Sequence, residues 1–336
     1  MKRALAVLVL LTASTAGCVR PPEPEASRIP IIVDDDGSMD GMVASLYFLV
    51  NPGYEVIALT ASNGDCHPSV FVHNLGRLLT LTGRKGIQVA AGQDFPLVGD
   101  NAFPESWRDF GDDFFGFPLP SQSEPISTLS APTLMVELIN NSPEPVALFV
   151  SGTHTNLAQA LRLDPGIKDK IRWVGVMGGA LFVDGNIGSE AGGQGYTNVT
   201  AEWNIWVDPL AAYEVFASGL PIFLTPLDAT DQVTWGKDFS RHWERSKDPA
   251  AKLAGELVTD MNDRFGNYVY VWDLTTAIFA DDPSLCVSEK YRVEVVTEPG
   301  PDEGRTVATP DPNGNVTACL DPDVPAFHAR AEEVYK

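Results

Sequence analysis

Near its amino terminus the chain reads Ile31-Ile32-Val33-Asp34-Asp35-Asp36-Gly37-Ser38-Met39-Asp40-Gly41. The β-branched residues predict a strand buried on both faces, and the Gly-Ser turn with Asp40 predicts a helix directly after it. Three adjacent carboxylates repel one another and raise one another's pKa unless a cation lies beside them. Carboxylate oxygens are ligands that Ca²⁺ and Mg²⁺ prefer, so this turn is a candidate metal or catalytic site. A solvated acidic turn at the surface is the alternative.

Strand-like and helical segments alternate along the rest of the chain. Apolar β-branched runs predict strands over residues 29–33, 54–60, 87–91, 146–150, 171–177 and 222–224. Helices are predicted over residues 42–50, 68–81, 131–140, 155–163 and 209–217. This order predicts an α/β fold, with a Rossmann-like, mainly parallel sheet and helices on both faces, in one domain over residues 29–336. The active site is then expected outside the carboxyl ends of the strands.

Two long segments interrupt the alternation. Residues 94–125 are rich in Phe, Gly, Pro and Asp without a period, and residues 181–198 are rich in Gly and polar residues. Long loops in a compact domain are usually lids or binding loops. We therefore expect both segments to be loops, and the aromatic residues between positions 103 and 117 are candidates for substrate recognition.

The first residues have the pattern of an export signal. Lys2 and Arg3 precede an apolar run over residues 4–11, and small residues follow up to Cys18, which predicts a signal peptide over residues 1–17. The Ala-Gly-Cys junction resembles a bacterial lipobox, in which Cys18 would carry the lipid and residues 18–28 would form a Pro-rich tether. This interpretation predicts a membrane-anchored lipoprotein that faces the periplasm or the cell exterior and touches membrane only through Cys18. A conventional secretory signal is the alternative.

Charge and cysteine content bear on the partners and on covalent cross-links. The 336 residues carry 45 Asp and Glu against 23 Lys and Arg, a formal charge of −22, which disfavours nucleic acid as a partner. Cysteines of an exported protein can pair. Cys286 and Cys319 flank an apparent hairpin and are the favoured pair, which leaves Cys66 as a free, buried thiol.

Six short motifs, in the same order, resemble the inosine/uridine-preferring nucleoside hydrolase family from residue 29 to the carboxyl terminus. In that family the first strand is followed by Asp-x-Asp-Pro-Gly-x-Asp-Asp, which residues 34–41 match in part. The other matches are Ser-Gly-Thr-His-Thr-Asn-Leu-Ala at 151–158, Met-Gly-Gly-Ala at 177–180, Asn-Val-Thr-Ala-Glu-Trp-Asn-Ile-Trp-Val-Asp-Pro at 198–209, Leu-Asp-Ala-Thr at 227–230 and Trp-Asp at 272–273. The resemblance implies the nucleoside hydrolase fold.

The resemblance also implies an N-glycosyl hydrolase in which a Ca²⁺ ion, or Mg²⁺, carries the water that attacks the anomeric carbon of a ribonucleoside. By position, Asp36 would bind the metal and accept the proton of the water, and Asp273 and the Ser151 carbonyl would be further metal ligands. The implied substrate-binding residues are Asp40, at the ribose 2′-hydroxyl, together with Asn198, Glu202 and Asn204. The implied partner is a nucleoside or another small riboside. The oligomeric state stays open, with a homo-oligomer among the alternatives.

Two departures from the family pattern leave the function open. Gly41 stands where the family has a second metal-binding aspartate, and Asp35 would compensate if its side chain can reach the ion. Gly41→Asp would then tighten Ca²⁺ binding unless Asp35 already fills the role. Trp272 stands where purine-acting members have a histidine that protonates the leaving base, so His154, His67 or an aromatic stack would have to replace it. A non-catalytic ribosyl-binding protein and a hydrolase of another N-glycosyl substrate are the alternatives.

Overall fold

The strands of the protein form one large sheet and one small ribbon. A computed structural model describes residues 28–123 and 125–336. Its strands are β1 (Ile29–Asp35), β2 (Tyr54–Ala61), β3 (Gln88–Ala91), β4 (Val146–Val150), β5 (Ile171–Met177), β6 (Ile222–Thr225), β7 (Thr234–Gly236), β8 (Tyr268–Tyr270), β9 (Cys286–Val295), β10 (Thr306–Pro310) and β11 (Val316–Pro322). The large sheet has the order β10-β9-β11-β6-β5-β4-β1-β2-β3, and β7 pairs with β8. Neighbours from β11 to β3 pair in parallel, whereas β9 is antiparallel to β10 and β11.

Helices cover both faces of the sheet, as predicted. They are α1 (Met39–Val50), α2 (Pro68–Leu81), α3 (Glu105–Asp112), α4 (Ala131–Asn141), α5 (Thr155–Leu163), α6 (Ile187–Ala191), α7 (Trp203–Val207), α8 (Pro209–Ala217), α9 (Leu227–Thr230), α10 (Lys237–Trp243), α11 (Pro249–Phe265), α12 (Trp272–Asp281) and α13 (Val324–Tyr335). Ile31 and Val33 pack into a core with α1, α2 and α10 to α13, while Ile32 packs into a second core with α4, α5 and α8. The mainly parallel, two-sided α/β architecture is therefore confirmed.

The predicted elements are found with small shifts at their ends. The bounds of β4, β5, α2, α5 and α8 are the predicted ones, but β1 continues two residues further because Asp34 and Asp35 still pair with β2. α1 begins at Met39 instead of residue 42 because Ser38 caps it, with Ser38 Oγ accepting a hydrogen bond from the Gly41 N–H at 3.0 Å. Gly37 makes the turn between them with a φ of +87°, a conformation that favours glycine.

Both segments that the sequence predicts to be loops contain short helices, so that part of the prediction is wrong. α3 and a 3-10 turn at Phe114–Gly116 lie in the first segment, and α6 lies in the second. The buried residues of α3 are Arg108 and Gly111. Trp107 and Phe110 are half-buried and have helical spacing, but two apolar residues in eight are too few to indicate a helix from the sequence.

A disulfide joins β9 to β11 at one end of the large sheet. Cys286 and Cys319 are bonded, with their Cα atoms 5.7 Å apart, and Cys66 is free and buried. The predicted pairing and the predicted free thiol are both confirmed. The two strands are direct antiparallel neighbours, and β10 lies on the outer side of β9.

The predictions for the amino terminus concern residues that the structure does not describe. The signal peptide over residues 1–17, the lipidation of Cys18 and nearly all of the tether over residues 18–28 lie outside the described part, so they stay predictions. Within the described ranges, no helix combines the length and the hydropathy that a membrane crossing requires.

Candidate active site

A pocket of about 110 Å³ lies at the carboxyl ends of β1, β4 and β5, where the α/β fold predicts a site. Asp36 follows β1, Ser151 follows β4, Met177 ends β5, and Asp273 comes from the first turn of α12. The other lining residues are Ser38, Asp40, Asp65, Phe103, Trp107, Asn186, Glu190, Glu202, Trp203, Asn204 and Trp272. Six of the predicted site residues thus meet in one pocket: Asp36, Asp40, Ser151, Glu202, Asn204 and Asp273.

Asp36 fits into the pocket wall because two glycines leave room for its side chain. A Cβ on Gly64 would lie 2.2 Å from Asp36 Oδ2, and a Cβ on Gly152 would lie 2.5 Å from Asp36 Cβ, both closer than a Cβ approaches any non-bonded atom. Asp36 Oδ1 accepts a hydrogen bond from the Ser38 N–H at 3.3 Å, and Oδ2 accepts one from the Asp65 N–H at 3.4 Å. Burial and the neighbouring carboxylates raise the pKa of Asp36 well above its ordinary value.

Ser38, Asp40 and Asp273 form a hydrogen-bonded group that joins α1 to α12 at the pocket. Ser38 Oγ donates to Asp273 Oδ2 at 3.1 Å, and the Asp273 N–H donates to Asp40 Oδ2 at 3.1 Å. Burial raises the pKa of both carboxyls, and the charge of Asp40 raises that of Asp273 further. The two helices therefore hold two acidic side chains at one point of the pocket.

Asp35 is buried and does not line the pocket, but it contacts a residue that does. Asp35 Oδ2 accepts a hydrogen bond from Ser151 Oγ at 2.7 Å, and Oδ1 accepts one from the Gly37 N–H at 2.8 Å. Asp34 points to the other face of the strand, where Oδ1 accepts from Asn156 Nδ2 at 2.8 Å. Burial raises the pKa of Asp34 and of Asp35 to about 7.

The chemistry of these side chains fits a hard divalent cation. Asp35, Asp36, Asp40 and Asp273 are all buried, and no Lys, Arg or His is among the described residues that line the pocket. Buried carboxylates without a cationic partner are unfavourable, and clustered oxygen ligands select Ca²⁺ or Mg²⁺. Within residues 28–123 and 125–336, however, no three Asp, Glu, His or Cys side chains converge as a preformed metal-binding group. An ion here would need further oxygens, such as the Ser151 carbonyl.

Glu202 and Asn204 enter the pocket at the start of α7. The Glu202 carboxylate caps this helix by accepting hydrogen bonds from the N–H groups of Asn204 at 2.9 Å and Ile205 at 3.2 Å. Asn204 Nδ2 donates to the carbonyls of Ser151 at 3.3 Å and Met177 at 3.4 Å. Burial raises the pKa of Glu202 to about 7. Backbone contacts thus fix both side chains, and that of Asn204 lies beside Ser151.

The structure does not bring Asn198 to the pocket, and this corrects its predicted role in substrate binding. Its Nδ2 donates to the Glu303 carbonyl at 2.8 Å, and its Oδ1 accepts from the N–H groups of Thr200 and Ala201. Asn186 lines the pocket instead. Asn186 follows Gly185, and the short helix α6 lies between Asn186 and Glu202 along the chain.

A larger cavity of about 820 Å³ adjoins the pocket and shares part of its lining. The shared residues are Ser38, Asp40, Asp65, Trp107, Glu190 and Trp272. The outer part is rich in aromatic side chains: Phe110, Phe115, Phe265, Tyr268 and Tyr270. Trp272 Nε1 donates to Asp231 Oδ1 at 2.8 Å, and its ring stacks on Tyr270 with the ring centroids 5.6 Å apart. Asp231 and Tyr270 therefore hold the Trp272 indole where the pocket meets the larger cavity.

Neither histidine that could have replaced the family's acid lies in the pocket. His154 is fully buried at the start of α5, its ring nitrogens have no hydrogen-bond partner, and its ring centroid is 5.5 Å from that of Phe216. Burial lowers the pKa of His154 to about 4. His67 Nδ1 lies 2.8 Å from Asp112 Oδ2. Of the three candidates for the role of the family's histidine, only the aromatic stack has side chains that line the pocket, such as Trp107 and Trp272.

Asp65 and Glu190 line the pocket, and sequence reasoning missed both. Asp65 Oδ1 is buried without a hydrogen-bond partner. Glu190 accepts hydrogen bonds from Trp203 Nε1 at 3.0 Å and from Asn186 Nδ2 at 3.2 Å. Much of the surface of Glu190 is exposed, but its carboxylate is buried. This burial raises the pKa of the carboxyl group to about 7. An acid shortly after a predicted strand made Asp65 a candidate, but only the pairing of β2 with β1 brings it to the pocket; Glu190, in a segment predicted to be a loop, had no such signal.

Comparisons with known proteins agree with this architecture. A sequence profile of the family described as inosine-uridine preferring nucleoside hydrolase matches residues 31–329. The chain is 33% identical over 235 residues to the pyrimidine-specific ribonucleoside hydrolase RihA of Citrobacter koseri, covering 68% of this chain and 70% of that protein. It is 30% identical over 314 residues to RihA of Klebsiella pneumoniae, covering 89% and 96%.

Solved structures give the same result. The plant nucleoside hydrolase PpNRh1 is 26% identical with a TM-score of 0.77, over 92% of this chain and 99% of that chain. The purine-preferring ribonucleoside hydrolase from Gardnerella vaginalis is 27% identical with a TM-score of 0.77, over 91% and 99%.

The fold and the acidic pocket define an N-glycosyl hydrolase. The chain belongs to the inosine-uridine preferring nucleoside hydrolase family. Both the predicted family and the predicted nucleoside hydrolase fold are confirmed. The alternative function of a non-catalytic ribosyl-binding protein, suggested by Gly41 and Trp272, is therefore set aside.

Proposed function

We propose that this protein hydrolyses ribonucleosides with a divalent cation, Ca²⁺ or Mg²⁺, bound by Asp36, Asp273 and the Ser151 carbonyl. The observation that supports the proposal is the meeting of these residues with Asp40 and Asn204 in one acidic pocket. A bound ion would make a nearby water easier to deprotonate and would attract the ribose hydroxyls. The remaining chemistry comes from the side chains of the chain itself.

Asp36 acts as the general base. It takes a proton from the attacking water, whose oxygen bonds to the anomeric carbon as the bond to the base nitrogen breaks. A cation bound beside Asp36 would keep its carboxyl group ionised and able to accept this proton. The sugar ring carries positive charge in the transition state, and the carboxylates of Asp40 and Glu202 stabilise that charge. Asp40 holds the 2′-hydroxyl, and Asn186 and Asn204 hold other sugar hydroxyls.

The base is held by aromatic faces at the junction of the pocket and the outer cavity. Trp107 and Trp272 line both spaces, and a flat nucleobase gains contact area by stacking on indole rings. The base leaves with the bonding electron pair, and solvent in the outer cavity supplies its proton. The relatives include both pyrimidine-specific and purine-preferring enzymes by name, so we propose ribonucleosides as a class.

The experiment that tests the proposal compares two neighbouring aspartates. Ribose release from inosine and uridine is measured in millimolar Ca²⁺ and after chelation. We expect Asp36→Asn to lower kcat by about 10²–10⁴-fold because the general base is lost. Asp34→Asn is the matched control, since its Oδ1 still accepts from Asn156 and it does not line the pocket. Wild-type rates in Asp36→Asn, or rates that chelation leaves unchanged, would contradict the assignment.

We further propose that the enzyme is exported and anchored through Cys18, with residues 1–17 removed and residues 18–28 as the tether. The charged start, the short apolar run and the Ala-Gly-Cys junction support this. The mature chain in a bacterial membrane fraction should begin at a lipid-modified Cys18 by mass spectrometry, and Cys18→Ser should abolish the modification. A mature chain that begins at another residue would contradict it.

A further inference from the structure

Gly41 lies where the family's motif has an aspartate, and its surroundings show why no side chain is present. A Cβ built on Gly41 would lie 1.9 Å from Asp35 Oδ2, 2.7 Å from Asp35 Cγ and 2.7 Å from Ser38 Oγ. Non-bonded carbon and oxygen atoms do not approach this closely, and all three atoms are less than 3.0 Å away. The Asp35 carboxylate therefore occupies the volume into which a side chain at position 41 would extend.

The direction of β1 explains how Asp35 reaches that volume. Adjacent side chains on a strand point to opposite faces, and Asp34 points towards Asn156 of α5. Asp35 points to the other face, over which α1 returns directly after the turn at Gly37. Asp35 and the first turn of α1 therefore face each other, although five residues lie between Asp35 and Gly41 along the chain.

Hydrogen bonds hold the Asp35 carboxylate beside the proposed ligands. Oδ2 accepts from the hydroxyl of Ser151, the residue whose carbonyl we assign to the ion, and Oδ1 accepts from the Gly37 N–H. The contact with Ser151 and the volume that Asp35 fills beside Gly41 place its carboxylate at both positions that an exchange of ligands requires.

We propose that Asp35 and Gly41 are an exchanged pair, in which Asp35 supplies to the divalent ion the carboxylate that other family members supply from position 41. This inference rests on the ion site of the proposed function. Of the two outcomes that the sequence left open for Gly41→Asp, it favours the one in which Asp35 already fills the role and Ca²⁺ binding is not tightened. With Asp35 in place there is room for one carboxylate, so the added aspartate would displace Asp35 or distort α1.

The test measures Ca²⁺ affinity by calorimetry in five proteins: the wild type, Asp35→Ala, Gly41→Asp, the double variant Asp35→Ala/Gly41→Asp, and Asp34→Asn as a control. We expect Asp35→Ala to weaken binding at least about tenfold. Gly41→Asp alone should not tighten binding and should lower Tm. The double variant should recover affinity to within a few fold of the wild type, and Asp34→Asn should keep the wild-type Kd.

The outcomes separate this inference from the proposed function. If the double variant binds Ca²⁺ as weakly as Asp35→Ala, or if Asp35→Ala binds as well as the wild type, the exchange is wrong while the ion site stands. If the wild type binds neither Ca²⁺ nor Mg²⁺, the proposed function itself fails. Should Asp35→Ala not fold, the isosteric Asp35→Asn replaces it, and the Ca²⁺-induced shift in Tm of Asp35→Asn and of Asp35→Asn/Gly41→Asp gives the same comparison.

Discussion

His154 is a buried residue whose polar atoms are left without partners. Both of its ring nitrogens lack hydrogen bonds, and the residue is fully buried next to Phe216. Leucine has a similar volume and is the residue of the family's turn at this position. Because a buried polar group without a partner costs about 1–3 kcal/mol, we predict that His154→Leu raises the free energy of unfolding by about that amount. Urea denaturation at neutral pH measures the change.

The pH dependence of this gain follows from the pKa of His154. Burial lowers that pKa from 6.5 in the unfolded chain to about 4 in the folded protein. The unfolded chain therefore binds the proton first, and stability is lost as the pH falls from 6.5 towards 4. The advantage of His154→Leu should grow over this range. His73→Leu, at an exposed position of α2, is the control, and an equal pH dependence in both variants would contradict the argument.

Two asparagines give a matched test of the sugar site. Asn186 lines the pocket, whereas Asn198 binds the Glu303 carbonyl and two backbone N–H groups. We predict that Asn186→Ala raises KM roughly tenfold. A tenfold change corresponds to the loss of about 1–1.5 kcal/mol of binding free energy, which is what one hydrogen bond contributes. Asn198→Ala should leave KM unchanged and lower Tm. Steady-state kinetics and thermal unfolding decide, and the reverse result would reinstate Asn198 as the sugar ligand.

The disulfide acts at the level of elements, because it joins β9 to β11 across the antiparallel part of the sheet. The sequence separation of Cys286 and Cys319 is 33. Closing a loop of that length lowers the conformational entropy of the unfolded chain, which stabilises the folded protein by about 3–4 kcal/mol. We predict that Cys286→Ser/Cys319→Ser loses that much stability in urea denaturation. Dithiothreitol should lower the stability of the wild type but not of the double variant. An equal effect of dithiothreitol on the wild type and the double variant would show that the effect does not come from this disulfide.

Elements were predictable wherever apolar residues repeat with the period of their structure. The continuous run at Ile31 to Val33 and the spaced residues of α2 pack into cores, so their pattern and their burial agree. α3 was not predicted because it offers only one pair of apolar residues at helical spacing, Trp107 and Phe110, and its fully buried positions are Arg108 and Gly111. The bounds of β1 and α1 shifted because hydrogen bonds at Asp35 and Ser38, which hydropathy does not register, decide where each element ends or begins.

The candidate site was predictable where its residues follow strand ends or lie in recognisable motifs. Asp36 and Asp273 are examples, since the family resemblance places each of them by position. Other members of the site depend on contacts between segments that are distant in sequence. Asp65 comes to the pocket because β2 is the neighbour of β1. Asn186 and Glu190 come to the pocket with α6, which lies in a segment that the sequence predicts to be a loop. Such placement depends on tertiary structure, and a single sequence does not encode it as a local pattern.

At the scale of the whole molecule, buried acids in a chain with a formal charge of −22 couple stability to pH and to cations. Burial raises the pKa of Asp34 and Asp35 from 3.8 in the unfolded chain to about 7 in the folded protein. The folded state therefore keeps protons that the unfolded state releases, so without divalent cations stability should fall as the pH rises from about 4 to about 7.

Calcium should reverse this trend, because the ion binds the ionised carboxylates and competes with their protons. We therefore predict that the increase in Tm caused by millimolar Ca²⁺ is small at about pH 5 and larger at about pH 8, where the carboxyls are ionised. Thermal unfolding across this range, with Ca²⁺ or chelator at constant ionic strength, measures this increase.

NaCl in place of Ca²⁺ controls for general screening of the acidic surface. Asp35→Asn removes one of the buried carboxyl groups, so the Ca²⁺-induced increase in Tm should depend less on pH in this variant. A Ca²⁺ effect that is equal at both ends of the range, or that NaCl reproduces, would mean that cations act on the surface charge and not on the buried acids.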